Sequence, residues 1–231
     1  MSDPLDDIEK TAELLPAAAA GVRLGDRANR QLERFSDAAR QERRLKAMAE
    51  FAVLFDGRSD AQVKAQMTRA LANATEAAEA MQDVVDEDTL QDAVEAYQAF
   101  TQAQGVLENV VRPLWTRVVD QQFAPLASVG ALLEEAFPNA RELGRKMTEA
   151  AAQAQRHALS PIADLLPIAK ALLEDRSALV AEQQTVAGDP KVAAFLQALA
   201  ADRATLDLLE TEVLDWLKGQ GALTSLKVTA A

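Results

Sequence analysis

Alanine outnumbers isoleucine 48 to 3 in this 231-residue chain. Alanine is the strongest helix former, whereas pleated strands favour β-branched residues. That one imbalance removes sheet architectures and leaves an all-α fold. Leu, Ile, Val and Phe together number 57, which supplies a core that a merely charged, disordered chain would lack.

The spacing of apolar residues carries the class further. Val63, Met67, Ala70, Ala74, Ala77, Met81 and Val84 recur at alternating steps of four and three, the a/d seam of coiled-coil-like packing. Small residues dominate this seam, so a partner helix is expected to approach closely. Before it, a long helix over Leu24 to Phe55 carries Ala28, Phe35, Ala38, Leu45, Ala52 and Phe55 on one stripe, and the turn residues of "DGRSD" (56–60) fold the chain back. A third long helix is predicted from about Asp88, with Gln91 as capping-box partner and Leu90, Val94, Tyr97, Gln104, Leu107, Val111 and Leu114 facing inward. Pro113 should kink it, and Pro125 should end or bend its continuation.

Prolines at helix starts punctuate the remainder: Pro138 to about Leu159, Pro161 (capped by Ser160) to about Ala187, and Pro190 (capped by Asp189) to Lys218, where Gly219 stops the helix. The expected architecture is an elongated antiparallel bundle of about six or seven helices. Its organisation reads as a short N-terminal helix and Ala-rich connector over 1–22, a long three-helix unit over 23–122, a second helical unit over 123–218 and a tail over 219–231.

Charge narrows the partners. The formal net charge is −12, which disfavours nucleic acid and anionic lipid unless bases are segregated. Arg23, Arg27, Arg30, Arg34, Arg40, Arg43, Arg44 and Lys46 form a basic block, while Ala70 to Val111 carries nine acids and no base. Folding back at "DGRSD" sets Arg40 near Glu76 and Arg34 near Asp83, so intramolecular pairing is the first expectation. Phosphate contacts through Arg27, Arg30, Arg34, Arg40, Arg43 and Arg44 are the alternative, as in a helical accessory subunit of a nucleotide-driven or nucleic-acid-handling complex.

Catalytic and metal motifs are missing from the sequence. There is no cysteine, and the single histidine, His157, has alanine at position 154, so neither a Glu-x-x-His carboxylate bundle nor HExxH can be built. His157 reads as a semi-buried or capping residue near a helix end. No glycine-rich phosphate loop or GxSxG elbow occurs, and "DVVDED" (83–88) lacks the glycine of a calcium loop. No cofactor, metal or catalytic residue is expected. The acidic N-terminus and the absence of a long apolar run give a cytoplasmic expectation with no membrane partner.

Apolar character at the chain ends supplies the functional expectation. Trp216 sits on the stripe of the last helix, where it either seals the bundle against the helix from Pro161 or anchors a partner. Gly219 and Gly221 precede the β-compatible residues Leu223, Thr224, Leu226 and Val228. The sequence therefore points to a non-enzymatic protein-protein interaction or scaffold subunit, with Trp216, Leu217, Leu223 and Leu226 as one contact surface and Leu5, Ile8 and Leu15 as another. The partner is a protein, or a second copy.

Overall fold

A computed structural model describes residues 35–223 of the chain. Among the described residues there is no strand, and eight α-helices follow one another: α1 (Ala38–Leu54), α2 (Ala61–Gln82), α3 (Glu87–Val118), α4 (Ala124–Ala136), α5 (Arg141–Arg156), α6 (Ile162–Ala187), α7 (Pro190–Ala200) and α8 (Thr211–Gly219). A π-helical segment, Val119–Phe123, joins α3 to α4 without a break, so seven continuous helices result. The all-α bundle expected from composition is what the chain forms. The N-terminal helix expected over 1–22, with Leu5, Ile8 and Leu15, lies outside the described residues, as do Arg27, Arg30, Arg34 and Leu226.

The chain divides into two compact units. One comprises residues up to Trp115 together with Ser160–Leu166, and the other comprises Thr116–Leu159 together with the chain from Pro167 onward. Helices α3 and α6 both cross this division, and both carry an internal proline beside it, Pro113 and Pro167. Proline cannot donate to the carbonyl four residues earlier. Each crossing helix therefore gives up a backbone bond close to where one unit ends and the other begins.

In the first unit, periodicity predicts burial well. Val63, Met67, Ala70, Ala74, Ala77 and Met81 are buried along α2, and all seven inward positions named for α3 are buried. Helices α1 and α3 run parallel. Tyr97 donates to Asp37, the Gln104 amide donates to the Gln41 carbonyl at 2.7 Å, and Arg44 reaches Glu108, so partners climb both helices together. Asn73 on α2 donates to the Ala99 carbonyl of α3 at 3.2 Å, as an antiparallel neighbour of α3 should.

Three boundaries differ from expectation. A continuous helix from Leu24 is interrupted, because Phe35 to Asp37 are not α-helical. Asp37 stands before α1, and its carboxylate accepts from Arg40, Gln41 and Tyr97. Burial pushes this carboxyl up, but the bonds from Tyr97, Gln41 and Arg40 and the Arg40 charge outweigh it and hold it below the usual carboxylate range. Burial first, then the Asp37 carboxylate, pushes the Tyr97 phenol far above its ordinary range. At α3, the capping box joins Asp86 to Thr89, not Asp88 to Gln91: Thr89 N–H donates to Asp86 Oδ1 at 2.9 Å, and Asp86 N–H to Thr89 Oγ1 at 3.1 Å.

The third boundary is the break of the expected Pro190–Lys218 helix into α7 and α8. Asp202 adopts φ 52°. Its N–H donates to the Leu199 carbonyl at 3.1 Å and that of Arg203 to the Ala198 carbonyl at 2.8 Å, which is the Schellman pattern of a helix end. Aspartate tolerates the left-handed region better than most non-glycine residues, so this helix ends without glycine. Leu206, which follows this break, is exposed. The true C-terminal stop is Gly221 (φ 68°), with Ala222 N–H bonded to the Leu217 carbonyl, whereas Gly219 still belongs to α8.

A buried ion cluster ties the first unit together. Glu108 is 6% exposed. Its Oε2 accepts from Arg44 Nε at 3.0 Å and Nη2 at 2.8 Å, and its Oε1 accepts from Arg112 Nη2 at 2.7 Å. The same Oε1 accepts the Ile162 N–H at 3.3 Å, while Arg112 Nη1 donates to the Ser160 carbonyl at 2.8 Å. One carboxylate therefore serves α1, α3 and the first turn of α6. The Arg40–Glu76 juxtaposition expected from sequence does not form; Arg40 pairs with Asp37 in its own first turn.

In the second unit, α4 and α5 pack closely against each other. Gly130 and Gly144 face each other there. A Cβ placed on Gly144 would lie 2.5 Å from the Gly130 carbonyl oxygen and 2.6 Å from the Glu134 nitrogen, both backbone atoms. Phe123, Leu133, Phe137, Met147, Val213 and Leu217 fill the surrounding core.

Two stability predictions follow from these contacts. Glu108→Ala leaves two guanidinium groups and a helix N–H without their acceptor, and should lower unfolding free energy by about 3 kcal/mol. Glu108→Gln keeps an acceptor oxygen and should cost less; urea unfolding followed by circular dichroism checks the order. Gly144→Ala must push α4 and α5 apart and should cost about 2 kcal/mol or more. Gly105→Ala, at a mid-helix site with nothing within 4 Å, should instead stabilise by about 0.5–1 kcal/mol.

Candidate binding groove

Proline at position 125 sets the geometry of the second unit's surface. With no N–H on Pro125, the Gln121 carbonyl loses its ordinary helical donor, and the pyrrolidine ring would crowd it. The chain widens by one residue: the Ala124 N–H reaches back to the Val119 carbonyl, five residues earlier. Such π turns recur at functional sites because they splay side chains that a regular helix would stack.

A half-open groove of about 500 Å³ lies against this turn. One wall is the π segment and the start of α4, with Asp120, Gln122, Leu126 and Val129; the second is a stripe of α6, with Arg176, Val180 and Gln183; the third is the end of α7 with Arg203. Arg176, Val180 and Gln183 stand four and three residues apart, so they share one face of α6. Arg203 reaches the rim because the helix ends at Asp202. Had α7 continued, residue 203 would have kept a helical direction along its axis.

The polar groups of the groove are unevenly satisfied. Arg176 Nε donates to the Gln122 carbonyl at 3.4 Å, a long bond to the π segment itself. Ser128, the hydroxyl of the groove, donates to the Ala124 carbonyl at 3.2 Å. Gln183 is 5% exposed; its amide has no protein partner among the described residues, and its polar atoms open on the groove, since they are not among the buried atoms left without a partner. Arg203 likewise makes no ion pair among them. An amide open to the groove is hydrated there and presents both donor and acceptor on the groove side.

The residues expected from sequence to bind a partner sit elsewhere. Trp216 is half-buried: its Nε1–H donates to the Val186 carbonyl at 3.0 Å and its ring packs 5.0 Å from that of Phe137. It thus packs onto the last turns of α6 within its own unit. Leu217 is buried in the same unit, and Leu223 is exposed. Within the arginine row, Arg40 pairs with Asp37, Arg43 Nε donates to the Ala39 carbonyl and Arg44 pairs with Glu108. His157 follows α5 as its half-buried C-cap. Among the described residues no three His, Asp or Glu side chains gather into a metal-binding cluster, and no helix is long and apolar enough to cross a membrane.

Sequence reasoning missed Gln183, Arg176 and Arg203. One signal was available: Leu172, Leu179, Gln183 and Ala187 form the buried stripe of α6, so a glutamine occupies a core position. Comparison with known protein families, with curated proteins and with solved structures finds no match.

Gln183 places an amide at a largely buried position of the α6 stripe. Gln183→Met keeps the length of the side chain and extends the apolar stripe, and should raise unfolding free energy by about 1 kcal/mol. A higher urea midpoint with an unchanged slope is the expected reading.

Proposed function

We propose that this chain is a non-enzymatic protein-binding subunit whose groove takes an extended segment of a partner protein. The observation that carries the reading is Gln183: a side-chain amide without a protein partner, on a largely buried residue and open to the groove. An amide presents an acceptor oxygen and donor N–H groups on one planar edge. A peptide unit offers the complementary donor and acceptor, so one Gln183 side chain can register a passing backbone with two hydrogen bonds.

The surroundings support a segment over a rigid small molecule. The groove is half-open and bordered by three helical elements, with Leu126, Val129 and Val180 available to an apolar side chain. Its volume falls within the range of ordinary ligand sites. Its one hydroxyl, on Ser128, donates to the carbonyl of its own helix. This reading moves the protein contact expected at the chain ends to a folded surface.

The test is a random dodecapeptide library displayed on phage, panned against the full chain and counter-selected on the Gln183→Met variant. Wild-type protein should enrich peptides that bind in fluorescence anisotropy and lose at least tenfold affinity for the variant. If both proteins enrich the same peptides, or neither enriches any, the groove is not a peptide site.

A further inference from the structure

Resting on the groove reading, we infer that the occupant is an acidic segment, carrying an Asp or Glu beside an apolar residue. The groove's charge is opposite to that of the chain. The protein carries a net −12, yet the groove is lined by two arginines, Arg176 and Arg203, against one acid, Asp120.

The arginines come from different elements. Arg176 projects from the middle of α6, half-buried, with Nε on the Gln122 carbonyl. That bond fixes the guanidinium plane and leaves the Nη donors for a ligand. Arg203 is exposed, and its backbone is fixed by the Ala198 carbonyl. Planar guanidinium forks match carboxylates in both geometry and charge.

Asp120 stands on the wall formed by the π segment. It repels a carboxylate from that wall and accepts an N–H or a basic side chain. The occupant is thereby oriented: its acid lies toward α6 and the end of α7, its apolar side chain against Leu126, Val129 and Val180, and its backbone against Gln183. A nucleic-acid strand fits poorly, because two arginines offset few phosphates in a chain repelling them overall.

The dodecapeptides selected on the full chain provide the test. Asp or Glu should be enriched at a fixed spacing from Leu, Ile, Val or Phe. Arg203→Glu, at an exposed site, should weaken an acidic peptide at least tenfold, and the Arg176→Glu, Arg203→Glu double variant should select Lys or Arg in place of the acid. Melting curves matching wild type confirm that both variants are folded. Peptides that depend on Gln183 but show no acidic preference, or prefer phosphoserine to Asp and Glu, would overturn this inference and leave the groove standing. Absence of any Gln183-dependent peptide would overturn both.

Discussion

The first unit depends on a single buried carboxylate. Burying a charge is unfavourable unless partners replace its hydration, and Glu108 has four donated hydrogen bonds from Arg44, Arg112 and the Ile162 N–H. Because the donors come from three helices, the chain cannot satisfy Glu108 without placing α1, α3 and the start of α6 correctly. Apolar stripes alone allow a bundle to slide by a turn; a buried charge with fixed donors does not. We regard it as the device that sets register where the alanine-rich seam is permissive. It also accounts for Ser160–Leu166 belonging with the first unit, since Arg112 holds the Ser160 carbonyl and Glu108 the Ile162 N–H.

The second unit reaches its order by a different route. There the constraint is steric: α4 and α5 approach until the backbone of one touches the other at Gly130 and Gly144. Glycine within a helix is entropically unfavourable, and close packing across the crossing compensates for it. Gly105, which has open space around it, gains nothing of this kind. Identical residues in similar helical settings thus play opposite roles, and only the facing helix distinguishes them.

That contrast explains what was legible in the sequence. The α3 stripe from Leu90 to Leu114 could be read in full because helical periodicity is local and every turn repeats the signal. Asp189 before Pro190 was equally readable, and the Lys191 N–H donates to its Oδ1 at 2.8 Å. Glu108 was not readable, since a mid-helix acid beside an arginine four residues on ordinarily faces water, and its other partners lie 64 and 54 residues away. The end of α7 was hidden because aspartate, not glycine, takes the left-handed position. The setting of Trp216 was readable in part: a scarce ring on a helical stripe packs inward, but a stripe does not reveal which carbonyl its indole N–H will meet.

The groove shows how these hidden features combine. Pro125 forces the π turn, the turn exposes the Gln122 carbonyl to Arg176, and Asp202 ends α7 so that Arg203 stands at the rim. Each of these departs from the best local helix, and together they surround the Gln183 amide that opens on the groove. Regular alternatives were available to such an alanine-rich chain at each position. Departures of this kind concentrate where a fold trades stability for a site, and their convergence on one face of α6 is the argument for function there over the better-packed surfaces elsewhere.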